Sequence, residues 1–254
     1  MKGALIGDYV GSIYEFNNTK DPNFNLIEKG KEITDDSICT IATAYAILQG
    51  IDYGDAYVEI CHKMMNPMGA YGSGFLNWLI TPSRKPYNSC GNGSAMRVSP
   101  IGWAFDKEDV MLAEAQKSAM CTHNHVEGIK GAQATAHAIW FFRKYGNDLE
   151  GFKKLMRQYY PEWESFEKPF DEFNAICQNT VPLCIQEVAN GTSFEDTIRN
   201  TVLRGGDTDT NACIAGAIAE ARWGAPTYLW EAALDTAPHE FKLIVNEFVS
   251  KYVP

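Results

Sequence analysis

Residues 1–16 read MKGALIGDYVGSIYEF and place glycines at 3, 7 and 11, four apart. That spacing puts them on one face of an α-helix. Glycine inside a helix costs roughly 0.5–1 kcal/mol relative to alanine, so such a stripe makes sense where a second backbone approaches closely. Residues 212–221, ACIAGAIAEA, offer a matching face in Ala212, Ala215, Gly216 and Ala219. The two segments are expected to cross as helices near the centre of the molecule.

Apolar residues keep helical spacing almost throughout the rest of the sequence. Ile38, Ile41, Ala42, Tyr45 and Leu48 form one stripe, and Ile129, Ala132, Ala136, Ile139 and Trp140 another. Thr34 and Ser193 read as N-caps, Gly50, Gly146, Gly191 and Gly224 as helix ends, and Pro226 and Pro238 as starts of new segments. No alternating β-branched run stands between turn signals, so the expected class is all-α, with about a dozen helices. Residues 17–33 and 81–93 are rich in Asn, Gly, Pro and Ser and read as ordered loops, not linkers. One domain over 1–254 is therefore expected. The aromatic and acidic segment 160–174 reads either as a surface excursion or as a cap on the core.

Composition narrows the function classes. Lysine plus arginine number 22 against 32 aspartate plus glutamate, a net charge of −10, and such a field repels nucleic-acid phosphates. Seven scattered cysteines without a CxxC pair read as reduced thiols of a cytoplasmic protein. The N-terminal apolar run is broken by Asp8, and no stretch reaches the roughly 18 residues of a membrane span. The sequence contains no GxxxxGK[ST], HExxH, GxSxG or GxGxxG, which removes the markers of nucleoside-triphosphate, zincin, hydrolase-elbow and dinucleotide chemistry.

Three acidic features remain. Asp8 and Glu15 lie seven apart, which places them on one face of the first helix. Thr34-Asp35-Asp36 and Arg204-Gly205-Gly206-Asp207-Thr208-Asp209-Thr210 each begin a helix, where a capping oxygen is welcome. Capping explains one oxygen at each start, whereas the two clusters supply four carboxylates and several hydroxyls. If they converge, their repulsion requires a cation, and an oxygen-only set suits Mg²⁺ or Mn²⁺ better than zinc. Independent caps and a shared metal both satisfy the spacing.

The ordered series Gly7-Asp8 with Gly11 and Glu15, Thr34-Asp35-Asp36, Gly91-Asn92-Gly93-Ser94-Ala95-Met96-Arg97, Thr122-His123 and Gly205-Gly206-Asp207-Thr208-Asp209-Thr210 resembles the ADP-ribosylglycohydrolase family, which includes dinitrogenase reductase-activating glycohydrolase. The resemblance implies a compact orthogonal bundle around two divalent cations, Mg²⁺ or Mn²⁺. It implies Thr34, Asp35, Asp36, Asp207, Asp209 and Thr210 as metal ligands, with Glu15 and Asp36 catalytic. It assigns the substrate's diphosphate and distal ribose to Ser89, Cys90, Gly91 and Asn92, with Gly72 and Gly74 lining the pocket and His123 contacting ribose or phosphate. Cys90 stands where some relatives carry an aromatic, so adenine stacking there is not implied. Loop 17–33 becomes a candidate lid.

The implied reaction removes ADP-ribose from a modified protein side chain, arginine linkage favoured, through a transition state of oxocarbenium character. An acidic chain holds a diphosphate by local amides, not by its bulk field. A non-catalytic ADP-ribose-binding or structural relative, a hydrolase of small esters such as O-acetyl-ADP-ribose, and a phosphohydrolase cutting the diphosphate are the alternatives. The expected protein is a monomer without nucleic-acid or membrane partners.

Overall fold

The computed structural model describes residues 1–170 and 172–253. The chain runs through α1 (Lys2–Gly11), α2 (Asp35–Gln49), α3 (Tyr53–His62), α4 (Ser73–Ile80), α5 (Gly93–Met96), α6 (Ser99–Ala104) and α7 (Glu108–Met120). It continues through α8 (Val126–Tyr145), α9 (Leu149–Tyr159), α10 (Cys177–Asn190), α11 (Phe194–Leu203), α12 (Thr208–Trp223), α13 (Thr227–Thr236) and α14 (His239–Tyr252). Among the described residues no sheet forms; two isolated bridges, Thr34 with Met68 and Gly91 with Ile176, tie loops together. No described helix is long and apolar enough to cross a membrane.

Short polar side chains set the helix starts by accepting first-turn amides that otherwise lack partners. Asp52 takes the N–H of Gly54 at 2.8 Å, Asp148 that of Gly151 at 3.0 Å and Ser193 that of Asp196 at 3.1 Å. Gly50, Gly146, Gly191 and Gly224 end helices, and Pro226 and Pro238 stand before α13 and α14, as the sequence pattern requires.

Helix α12 is buried from Thr208 to Glu220 and has α1, α8, α10 and α11 packed around it. A helix buried all round is a central helix, and its small residues let α1 approach to backbone contact. A Cβ added at Gly7 would overlap the carbonyl oxygen of Ala212, and one at Gly3 or Gly11 would overlap that of Gly216 or Thr208. The crossing of the two small faces therefore holds as expected, and it brings Asp8 of α1 to the N-terminus of α12.

Three details differ from the sequence reading. Helix α1 stops at Gly11 and tightens into a 3₁₀ turn over Ser12–Tyr14, so Glu15 caps that turn and does not share a continuous helical face with Asp8. Loop 17–33 is fastened along its length, which does not suit a free lid. Asn18 exchanges hydrogen bonds with the backbone of Gly206 at 2.8 and 3.1 Å, Phe24 and Leu26 are buried, and Lys31 Nζ donates to Val10 O at 2.7 Å. In segment 160–174, of which residue 171 lies outside the described residues, Tyr160 and Trp163 are buried in the core while Phe173 is exposed, so each of the two alternatives holds for part of it.

Candidate active site

The α1–α12 crossing sets one carboxylate beneath the first turn of a third helix. Asp8 is fully buried and accepts the backbone N–H of Thr34 at 2.9 Å and that of Ser37 at 3.0 Å. It also faces the hydroxyls of Thr34 and Ser37. A carboxylate in that place complements the exposed amides and positive end of α2. Thr34 Oγ1 lies 2.8 Å from Asp8 Oδ1 and 3.2 Å from Asp36 Oδ2, and its single hydrogen serves only one of them at a time.

The N-terminus of α12 completes the cluster. Thr210 Oγ1 donates to Asp36 Oδ2 at 3.2 Å, while Asp36 Oδ1 is buried without a hydrogen-bond partner. One oxygen from each of Asp8, Asp36 and Asp209 lies within 4.8 Å of the others, as does one from each of Glu15, Asp207 and Asp209. Among the described residues, no lysine or arginine forms an ion pair with Asp8, Asp36 or Asp209.

Burial first, then the neighbouring carboxylates, pushes Asp35, Asp36 and Asp209 well above the usual carboxylate range. Burial raises Asp8 to about 6 against the opposing pull of its Ser37 and Thr34 hydrogen bonds. Glu15, half-buried, is pushed up to about 7 by desolvation and by the charges of Asp207 and Asp8. So many carboxylates cannot all ionise together without a cation among them. The orphaned Asp36 oxygen and the all-oxygen donor set fit a hard divalent ion.

The cluster opens on a cavity of about 390 Å³, within the range of small-molecule sites. Glu15, Asp35, Asp36, Asp207, Asp209 and Thr210 line it. So do Gly72, Gly74, Ser89, Gly91, Asn92 and His123 from the glycine-rich segments. Thr34 and Cys90 stand off the wall: Thr34 is buried against Asp8, and the Cys90 carbonyl accepts the Cys177 N–H at 2.9 Å. Gly69, at φ +79°, faces Glu15, and a Cβ there would sit 3.1 Å from Glu15 Oε2, so only glycine keeps this loop against the carboxylate.

Two amides of the glycine-rich turn are taken up within the protein. Gly91 N–H is spent on Ser89 Oγ at 3.0 Å and Asn92 N–H on Ala175 O at 2.9 Å. Both α5, after Asn92, and α4, after Gly72, begin without a side-chain cap, and Gly93, Ser73 and Gly74 of their first turns line the cavity. His125 is not a ligand-facing residue, since its Nδ1 accepts the Glu127 N–H at 3.1 Å and caps α8.

Asp8, one of the acidic features of the sequence, was not among the implied metal ligands or catalytic residues, yet it stands at the centre of the acid cluster. Sequence reasoning also left out Arg97, Tyr87 and Phe173, which line the cavity. Tyr87 packs its ring edge 3.0 Å from a Cβ position at Gly74 and its centroid 6.0 Å from that of His123. Phe173 lies nearly parallel to Phe16, 13° between planes and 6.2 Å between centroids, beside Glu15 at the mouth.

Comparison with known proteins bears on the fold and the family. ADP-ribosylhydrolase ARH3 of Xenopus tropicalis is 24% identical over 88% of this chain and 86% of its own length. The Homo sapiens protein of the same name is 25% identical over 88% of this chain and 84% of its own. A solved structure described as an ADP-ribosylglycohydrolase-related protein complex superposes with a TM-score of 0.73 over 98% of this chain and 94% of that one, at 20% identity, and so shares the fold. The sequence profile of the ADP-ribosylglycohydrolase family matches residues 1–229. The chain belongs to that family, and it is a hydrolase.

Proposed function

We propose that this protein is a divalent-metal-dependent hydrolase that cleaves the glycosidic bond between ADP-ribose and a modified protein side chain, with arginine linkage favoured. The observation that carries the reading is the polarity of one cavity, whose buried carboxylates call for cations while uncapped helix amides and a buried arginine call for an anion. ADP-ribose has that polarity, with a diphosphate along its length and a diol on the reacting ribose.

Thr34, Asp35, Asp36, Asp207, Asp209 and Thr210 would hold two Mg²⁺ or Mn²⁺, with Asp8 behind them fixing α2. Bound there, such ions supply the charge that neutralises the carboxylates and orients the ribose hydroxyls. Glu15 is half-buried at the cavity wall, and burial raises its carboxyl, which suits a group that moves a proton to or from water at the anomeric carbon. Asp36, whose Oδ1 has no protein partner, is the second such group. The first-turn amides of α4 and the His123 edge face the diphosphate, and Asn92 bridges this part of the wall to Asp207.

Arginine linkage is favoured by the mouth. Phe16 and Phe173 present exposed, nearly parallel rings beside Glu15, a surface on which a planar guanidinium stacks. The test is release of free ADP-ribose from arginine-linked and serine-linked peptides and from O-acetyl-ADP-ribose, each with Mg²⁺ and with chelator. Metal-dependent release from the arginine peptide is expected. Release of AMP instead, or equal turnover with chelator, would overturn the reading.

A further inference from the structure

Arg97 is 1% exposed, and among the described residues no carboxylate pairs with it. Its guanidinium lies 4.1 Å over the ring of Tyr57, and its Nη2 donates to Ser118 O at 3.1 Å and to Thr122 Oγ1 at 2.7 Å. Arg97 Nε has no partner. A buried cation held by a ring and by neutral oxygens leaves its positive charge uncompensated at the wall of a cavity.

The bond to Thr122 fixes more than the threonine. A guanidinium only donates, so Thr122 Oγ1 is the acceptor there and keeps its own hydrogen. His123 Nδ1 lies 2.7 Å away and is the stronger of the two acceptors that hydrogen reaches, the other being the sulfur of Cys121. In the opposite arrangement Thr122 accepts twice, and its hydroxyl hydrogen, in a fully buried place, is left only the weakly accepting sulfur of Cys121. With Nδ1 accepting, the single proton of a neutral imidazole must sit on Nε2.

Nε2 faces the cavity. A Cβ at Gly93 would lie 3.1 Å from it and one at Gly91 3.4 Å, so these two glycines leave the ring edge open, and no described residue accepts its hydrogen. Burial, and then the Arg97 charge, holds the imidazole well below the usual histidine range, in keeping with a ring that bears one proton at neutral pH.

We propose that Arg97 and Thr122 are positioning residues, which through the series Arg97 Nη2 to Thr122 Oγ1 to His123 Nδ1 fix the imidazole in its Nε2–H tautomer and make it a hydrogen-bond donor to a phosphate oxygen in the cavity. The donor role rests on the ADP-ribose reading of the site, whereas the tautomer does not.

The test is ¹⁵N NMR of the histidine ring nitrogens in the full-length protein near pH 7.5, assigned with a His123→Gln variant, together with calorimetric titration of free ADP-ribose. In the wild type Nε2 is the protonated nitrogen. Thr122→Val mixes the tautomers and raises the ADP-ribose Kd about tenfold, and Thr122→Ser restores both. A wild-type proton on Nδ1 overturns the relay, as does a Thr122→Val protein that keeps tautomer and affinity. If Thr122→Val does not fold, the wild-type tautomer and the Thr122→Ser affinity decide alone. An Nε2–H ring in a protein that does not bind ADP-ribose overturns the donor role and the functional reading, and leaves the relay standing.

Discussion

Asn92 Nδ2 donates to Asp207 Oδ2 at 2.7 Å, a hydrogen bond between residues 115 apart in the chain. It ties the glycine-rich segment to the acid cluster and helps hold down the pKa of a carboxylate that burial drives up. Asn92→Asp replaces the donor with a second carboxylate in the same shape. Leaving a buried charged acceptor without its donor costs about 1–3 kcal/mol, so the metal-free variant should melt about 5 °C below wild type at pH 7.5. The gap should narrow at pH 5, where one proton serves both acids. Equal melting temperatures at pH 7.5 would show that this bond does not stabilise the site.

The raised carboxylates make stability depend on pH in a stated direction. Asp8 near 6 and Glu15 near 7, with Asp35, Asp36 and Asp209 also raised, bind protons more tightly folded than unfolded. Their contribution is fully present below the ordinary carboxylate value near 4 and is lost as pH rises through the folded values. The chelated protein should therefore melt at higher temperature at pH 5 than at pH 8. Saturating Mg²⁺ should restore the melting temperature at pH 8 and do little at pH 5. Parallel melting curves with and without Mg²⁺ across that range would contradict the acid cluster as a cation site.

The stripe at Gly3, Gly7 and Gly11 and the carboxylate-rich starts of α2 and α12 could be read directly, because spacing within one helix determines which residues share a face. What spacing cannot carry is the relation between segments. Arg97 stands in the quoted run Gly91–Arg97, yet nothing in that run shows that it is buried without a carboxylate. Phe173 and Tyr87 reach the cavity through long loops whose paths depend on remote anchors. Glu15 was placed on the right side of the molecule for an incomplete reason, since the helix that was to align it with Asp8 ends four residues earlier, at Gly11. The amides of Gly91 and Asn92 looked free in a glycine-rich turn, and only Ser89 Oγ and Ala175 O show them to be occupied.

Gly7→Ala tests the crossing that builds the site. Its Cβ would meet the backbone of Ala212 and Cys213, which cannot move aside as a side chain can. A loss of about 3 kcal/mol or more is expected, seen as a melting temperature about 10 °C lower. Gly72→Ala, whose Cβ meets nothing within 4 Å, is the control and should melt close to wild type. A Gly7→Ala protein as stable as that control would mean that the helices are not in backbone contact.

Phe16 and Phe173 are 76% and 52% exposed, an arrangement that burial does not account for. If they stack on a guanidinium, Phe173→Ala should raise KM for the arginine-linked peptide about tenfold and leave the affinity for free ADP-ribose unchanged. Turnover of a serine-linked peptide should change little. Equal losses on both linkages would assign Phe173 to the ADP-ribose moiety instead of the leaving group.

Glu15 separates binding from chemistry. It lines the cavity, and in the metal-free protein burial, Asp207 and Asp8 raise its carboxyl to about 7, whereas with cations bound burial is the raising cause that stays. Glu15→Gln keeps the size and the hydrogen-bonding shape while removing the acidic proton, and general acid–base groups contribute roughly 10²–10⁴-fold. The variant should therefore lose kcat by about 10²-fold or more, with ADP-ribose affinity within about threefold of wild type. The limb of the kcat profile against pH that Glu15 governs should also vanish in Glu15→Gln. Equal losses in kcat and in ADP-ribose affinity, with the pH profile intact, would make Glu15 a binding residue and leave Asp36 as the group that handles the proton.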